Sequence, residues 1–143
     1  MQTDQYGKNK REIGEMLREF GVDPTTHRVE IAHYLLARPQ HLSADAVLQG
    51  LNSEYEQVSQ ATVYNTLRLF VQKGVVRELV ISPDRIYYDS NTDPHHHFLD
   101  VDSSTIYDLR EEDVGMPQIQ NLNAEIEEVT VLVKGRIKGK GRL

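Results

Sequence analysis

The sequence predicts an α+β fold in two parts, and three observations carry that prediction. Apolar residues recur with a helical period as far as residue 73. The period changes to two directly after Gly74. The polar run DSNTDPHHHF at 89–98, with its three consecutive histidines, then separates the helix-rich half from the strand-rich half. A chain of 143 residues forms one large domain or two small ones. The boundaries read as a first domain at 1–89, a hinge at 90–94 and a second domain at 95–143.

Within residues 8–20, Ile13, Met16, Leu17 and Phe20 are spaced i, i+3, i+4, i+7, an amphipathic helix that Gly21 stops. A second helix runs from Pro24 to Ala37 with Val29, Ala32, Leu35 and Leu36 as its apolar set, and closes at the pre-proline Arg38. The link through Pro39 and His41 leads to Ser43, an N-cap for a third helix with Val47, Leu48 and Leu51 on one face. Ser59 caps a fourth helix, Gln60 to Lys73, which Gly74 ends; Val63, Leu67, Phe70 and Val71 form its buried stripe. Val75 to Ile81 and Arg85 to Asp89 then read as a hairpin around Ser82, Pro83 and Asp84. Three helices, a polar-faced fourth and a hairpin make a winged helix-turn-helix.

The outward face of the fourth helix presents Gln60, Thr62, Tyr64, Asn65 and Arg68, side chains that reach base edges and phosphates. A solvated surface helix would show the same face. The hairpin that follows at once favours double-stranded DNA as the partner.

In the second part, His96 to Val101 and Thr105 to Arg110 are short strands joined by residues 102–104. Glu111 to Asn123, with Gly115 and Pro117, reads as loop. Glu125 to Ile137 alternates at Ile126, Val129, Val131 and Val133 and reads as one long strand. A small α/β lobe of this kind covers itself poorly, so it is expected to be a dimerisation domain and the protein a homodimer.

A net charge of −6 argues against nucleic acid when taken over the whole chain. Locally the balance reverses: between Gln57 and Tyr88, Arg68, Lys73, Arg77 and Arg85 face only Glu78 and Asp84, and Lys134 to Arg142 holds five basic residues and no acid. The absence of cysteine excludes disulfides, thiolate zinc sites and iron–sulfur clusters, leaving His, Asp and Glu as the strong metal ligands. With no signal peptide and no membrane-length apolar run, the expectation is a cytoplasmic protein with no membrane partner.

Strand alternation puts His95 and His97 on one face and His96 on the other, so the outer two can reach one ion. Asp108 on the partner strand, Asp89 before the hinge and His41 could each add a ligand. Each also has a plainer reading: His41 as a turn or capping residue, Asp89 as a hairpin end, Asp108 as a solvated strand position. His27 and His33 read as ordinary helix residues. Imidazole with carboxylate suits Fe²⁺ or Mn²⁺ and accepts Zn²⁺ in vitro. Two histidines and a carboxylate also form the facial triad of non-haem iron enzymes, but those need an enclosing scaffold, and half of this chain goes into short helices.

The run from Ser59 through Tyr64 and Asn65 to Leu67 with Gly74, the turn from Gln40 and His41 to Asp45, and Asp89 six residues before His95 and His97 together resemble the ferric uptake regulator (Fur) family over nearly the whole chain. The resemblance implies a dimeric transcription regulator with an N-terminal winged helix, a C-terminal α/β dimerisation domain, and a regulatory metal held by His41, Asp89, His95, His97 and Asp108. Asp at the fifth position is similar to the peroxide-sensing PerR branch, which implies oxidation of His41 or His95 by peroxide at bound Fe²⁺ and control of oxidative-stress or metal-homeostasis genes. Tyr64 matches the family's base-contacting tyrosine, Asn65 resembles the PerR-type reader, and Arg28 matches a basic position that supports DNA contact; a palindromic operator follows.

The chain departs from the family where relatives carry CxxC pairs for a structural zinc. The first pair corresponds to Asp100 and Ser103, so no structural cysteine zinc is expected. His96, the missing cysteines and the helix-poor segment before the last strand resemble the haem-responsive Irr branch. That alternative implies haem at His95, His96 and His97, although the cysteine-proline haem motif of some members is absent.

Overall fold

A computed structural model of the chain describes residues 5–53, 57–115 and 117–139. Of the basic C-terminal tail, Lys140 and Arg142 lie outside these residues. The fold is α+β, as the periodicities predict, and divides into two compact units between Thr92 and Asp93.

The first unit opens with α1 (Lys10–Glu19), held at its start by a full capping box: Asn9 accepts from the Glu12 backbone N–H, and the Glu12 side chain accepts from that of Asn9. Ile13, Met16 and Leu17 are buried. Phe20 is not part of that stripe. It is the C-cap and stands 38% exposed, because Gly21 takes a left-handed φ of 79° and turns the chain there. The Val22 N–H then reaches the Leu17 carbonyl at 2.8 Å and the Gly21 N–H that of Arg18 at 3.0 Å, which satisfies the last carbonyls.

Helix α2 (Thr26–Leu35) starts two residues later than Pro24 and buries Ile31, Ala32 and Leu35. Gln40 closes its far end, its amide donating to the carbonyls of Tyr34 (2.9 Å) and Leu35 (3.1 Å). The link after it contains a strand that sequence periodicity does not show: β1 (His41–Leu42). Helix α3 (Ala44–Leu51) is capped by Ser43, and α4 (Gln60–Lys73) by Ser59 and, at its other end, by a left-handed Gly74 with φ 80°. Val63, Thr66, Leu67 and Phe70 are the buried face of α4. Val71, read as part of that stripe, is only half-buried. Complete burial of a ring such as Phe70 stabilises by about 1.5–3 kcal/mol.

The hairpin is β2 (Arg77–Ser82) and β3 (Arg85–Asp89), antiparallel with an irregularity between Val80 and Ser82. Val75 and Val76, expected to open the first strand, are instead buried in the helical core. With β1 the sheet runs in the order β1-β3-β2.

The second unit is a three-stranded sheet in the order β5-β4-β6, built from β4 (His96–Asp100), β5 (Ile106–Leu109) and β6 (Leu132–Gly135). The long strand expected at 125–137 is replaced by those four residues, paired parallel to β4 from His97↔Leu132 to Asp100↔Gly135. The partner sets the limit: β4 is five residues long, so the alternation upstream at Ile126 and Val129 has no ladder to join among the described residues. One helical turn, α5 (Glu111–Val114), stands at the start of the segment read as loop, with Gly115 at φ 73° after it.

The turn between β4 and β5 is closed by the side chains of Asp100 and Ser103. Ser103 Oγ donates to Asp100 Oδ2 at 2.6 Å, the Asp102 N–H to Asp100 Oδ1 at 3.2 Å, and the Thr105 N–H to Ser103 Oγ at 3.2 Å. The Ser103 hydroxyl, with the turn's backbone donors, holds the Asp100 carboxyl below its ordinary range.

Two predictions follow from this architecture. Gly74→Ala is expected to destabilise the first unit by about 1–2 kcal/mol, the cost of a left-handed residue with a Cβ, read as a lower thermal midpoint. For the turn, the lowered pKa means Asp100 contributes stability that is complete above the ordinary carboxylate range and is lost as pH falls through its depressed value. Ser103→Ala should move the Asp100 titration upward, as followed by carboxyl NMR; an unmoved titration would show that the hydroxyl does not hold the charge.

Candidate metal centre and DNA-facing surface

Each unit gathers part of the expected ligand set. In the first, β1 and β3 pair antiparallel with His41 directly opposite Asp89. His41 Nε2 lies 3.1 Å from Asp89 Oδ2, and both side chains are largely buried, at 12% and 3% exposure. The other carboxylate oxygen, Oδ1, accepts the Asn91 backbone N–H at 2.9 Å. One oxygen of Asp89 is thus fixed by backbone while the other faces the imidazole, an oriented carboxylate of the kind metal sites need.

The chain end that carries Asp89 is held by its neighbour. Ser90 is fully buried. Its carbonyl accepts from the Gln5 amide, and its hydroxyl meets the Tyr6 hydroxyl at 3.3 Å and the Gln40 N–H at 3.4 Å. Neither Gln5 nor Ser90 carries a sequence signal for this, since the partners lie 85 residues apart.

In the second unit, His97 pairs directly with Asp108 across β4 and β5. His95 lies just before β4, and its ring meets that of His97 edge-on, centroids 4.5 Å apart. The Nε2 atoms of both point to Asp108 Oδ1, at 3.3 Å for His95 and 3.6 Å for His97. His95 Nδ1 is 2.6 Å from the Asp93 carbonyl. A carbonyl can only accept, so Nδ1 carries a proton, and in the neutral ring the lone pair is then on Nε2, the tautomer a metal ligand requires. Two imidazoles and one carboxylate converging on a point form a donor set suited to a divalent ion.

His96 faces the other way and serves the fold. It is buried, and its Nδ1 accepts the Val131 N–H at 3.0 Å, tying the residue before β6 to β4. The alternation that separates it from His95 and His97 was legible in the sequence; its hydrogen-bond role was not.

On α4, Gln60, Tyr64, Asn65 and Arg68 are exposed as expected for an outward face. Thr62 is half-buried, and its hydroxyl is hydrogen-bonded to the Ser59 cap at 2.9 Å. Arg28 lies on α2 and donates to the Asp23 carbonyl at 3.0 Å, tying down the loop that precedes its own helix. Tyr64 has a partner that sequence reading missed: its hydroxyl donates to Asp45 Oδ1 on α3 at 3.1 Å. That bond, more than partial burial, raises the Tyr64 phenol above its ordinary range, while a hydrogen bond from Gln60 one turn back acts in the opposite direction. An open cleft of about 420 Å³ separates this pair from the wing, where Arg85 and Tyr87 line it. Arg85 reaches the Tyr87 hydroxyl at 3.2 Å and lies over the ring. Among the described residues no helix is long and apolar enough to cross a membrane.

Comparison with known proteins agrees with this architecture. Residues 19–134 match the ferric uptake regulator family. The peroxide-responsive repressor PerR of Staphylococcus aureus is 32% identical over 114 residues, 80% of this chain and 74% of that protein. Among solved structures, the ferric uptake regulator of Pseudomonas aeruginosa with manganese superposes with a TM-score of 0.69 at 24% identity, over 88% of this chain and 98% of that one. The regulator of Francisella tularensis with iron gives 0.68 at 23% identity, over 83% and 94%. A family match spanning most of the chain, on a winged-helix α+β fold, makes this protein a member of the ferric uptake regulator family.

Proposed function

We propose that the protein is a metal-dependent, DNA-binding transcriptional regulator that acts as a homodimer, and that His41, Asp89, His95, His97 and Asp108 together hold its regulatory ion. The observation that carries this reading is the orientation of the ligands within each unit: Asp89 locked by Asn91 against His41, and His95 locked by Asp93 with His97 against Asp108. Residues 90–94 join the two sets, a connection of at most roughly 20 Å when extended. Three neutral imidazoles and two carboxylates balance a divalent charge, and an all-nitrogen-and-oxygen set suits Fe²⁺ or Mn²⁺ and tolerates Zn²⁺. Relatives of similar fold hold manganese in P. aeruginosa and iron in F. tularensis.

With ligands drawn from both units, ion binding restricts the angle between them. In a dimer that angle sets the spacing of two α4 helices, which must match palindromic half-sites one helical turn or a multiple apart. DNA affinity and metal affinity are then linked through one conformation. Dimerisation through the second unit is supported by its exposed Val101, Ile119, Leu122, Ile126 and Val133. No catalytic turnover is part of this reading, and the cytoplasm is its setting.

The signal we infer is peroxide, because the 32% identical relative is a peroxide-responsive repressor and the fifth ligand is Asp108. Held by these residues, Fe²⁺ would supply the reducing electrons for peroxide beside the ligand imidazoles, a chemistry that Mn²⁺ in the same site would not supply. His41 and His95 are the proposed oxidation sites; an imidazole that gains oxygen loses its lone-pair geometry and releases the ion. Haem at the histidine triplet is disfavoured by His96, which is buried and already bound to the Val131 N–H.

Two measurements test the reading. Asp89→Ala and His97→Ala, one in each unit, should each weaken Mn²⁺-supported DNA binding by at least about 10–100-fold, the range seen when even outer-sphere support of a metal is lost; fluorescence anisotropy with an operator duplex reads it, and a variant that binds DNA normally would remove that residue from the site. Peroxide applied to the Fe²⁺ form should add the mass of one oxygen to the peptide holding His41 or His95 and release DNA, while the Mn²⁺ form stays bound. DNA release with both peptides unchanged would sink peroxide sensing through these histidines.

A further inference from the structure

Ser90 is where the N-terminal segment and the link before β1 meet. It is fully buried and directly follows Asp89 in the chain. Its carbonyl accepts from the Gln5 side-chain amide. Its hydroxyl meets the Tyr6 hydroxyl at 3.3 Å and accepts the Gln40 N–H at 3.4 Å. Gln40 directly precedes His41, so one serine side chain joins the residues beside His41 and Asp89. The segment that reaches it is built rather than loose, although the first residues of a domain are poorly ordered unless something ties them down. The Tyr6 ring packs against the helical core. Gly7 takes a left-handed φ of 70°, which suits glycine, and its N–H donates to the Leu36 carbonyl at 3.1 Å, at the end of α2.

We propose that residues 5–7 clamp the metal site, with Gln5, Tyr6 and Ser90 as positioning residues for the ion. They act on the chain beside each ligand. β1 contributes only two paired residues, so the ladder alone leaves His41 and Asp89 free to part. The clamp raises the fraction of molecules in which the two already face each other, and apparent affinity falls in proportion as that fraction falls. Linkage makes the effect reciprocal: an ion held at Asp89 also holds the N-terminal segment down. The inference rests on the reading of His41 and Asp89 as ligands, and adds that release of the ion is coupled to release of the N-terminal segment.

The test is a Mn²⁺ titration of the full chain without DNA, the free ion being followed by its spin-resonance signal. Gln5→Ala, Tyr6→Phe and Ser90→Ala should each raise the dissociation constant about two- to tenfold, the worth of one hydrogen bond. Tyr6→Phe and Ser90→Ala remove one contact from its two sides, so the double variant should lose less than the product of the two. Gly74→Ala, which lowers the stability of the same unit at the far end of α4, should leave Mn²⁺ affinity unchanged. Hydrogen exchange read by mass spectrometry gives the reciprocal effect: Mn²⁺ should slow the Gly7 amide in the unaltered chain and fail to do so in Ser90→Ala. Unchanged Mn²⁺ affinity in all three clamp variants, with Asp89→Ala weakened, would overturn the clamp and leave the ligands standing. Equal weakening by Gly74→Ala would also overturn it, because the loss would then follow stability alone. If Asp89→Ala itself binds Mn²⁺ normally, the reading of Asp89 as a ligand fails and the clamp falls with it.

Discussion

The proposed site depends on a register. A strand of only two residues, His41 and Leu42, pairs with the last two of β3, and that pairing sets an imidazole opposite a carboxylate. Side chains alternate along a strand, so a slip of one residue would set Tyr88 in place of Asp89 against His41. Two paired residues cannot fix a register by themselves. It is fixed from outside: Ser43 caps α3 directly after β1, Gln40 closes α2 directly before it, and Ser90 binds the N-terminal segment directly after β3. The ligand geometry is thus inherited from helix caps and a buried serine rather than from the strand.

The second unit divides the labour of its histidines by the same alternation. His95 and His97 share a carboxylate on β5, while His96 holds the approach to β6. This matters in a chain without cysteine. At the positions where the family resemblance implies cysteines on zinc, Asp100 and Ser103 close the turn with one short hydrogen bond and two backbone donors, and Arg136 reaches Asp102 at 2.9 Å. The exchange replaces a bond that needs metal by bonds that need only an ionised carboxylate. An exposed ion pair such as Arg136–Asp102 adds little alone, about 0–1 kcal/mol, so the hydrogen-bonded turn is the main restraint.

Much of this was legible from residues alone, for identifiable reasons. Helix starts at Ser43 and Ser59 and the stop at Gly74 are local chemistry, and α3 and α4 keep those limits. Strand alternation separated His96 from its neighbours in the same way. What stayed hidden is what depends on distant partners. β1 is too short to show a period, and β6 is cut by the length of β4. Asp45 gave no signal because its partner is 19 residues away on another helix, although both are local residues of ordinary type.

Charge closes the argument on a point the composition raises. A chain with net charge −6 is repelled by DNA as a whole, and the Debye length of about 8 Å at physiological salt confines any attraction to residues near the contact. In the proposed function Arg68 on α4 and Arg77 and Arg85 on the hairpin would supply such a contact, outnumbering the hairpin acids Glu78 and Asp84. In the proposed function each divalent ion would cancel two of the six net negative charges of a protomer, at ligands whose own charge it neutralises. The ion then favours DNA twice, by restricting the angle between the units and by lowering the long-range repulsion. The second contribution is the one that added salt would screen away, whereas the first, a matter of shape, would persist.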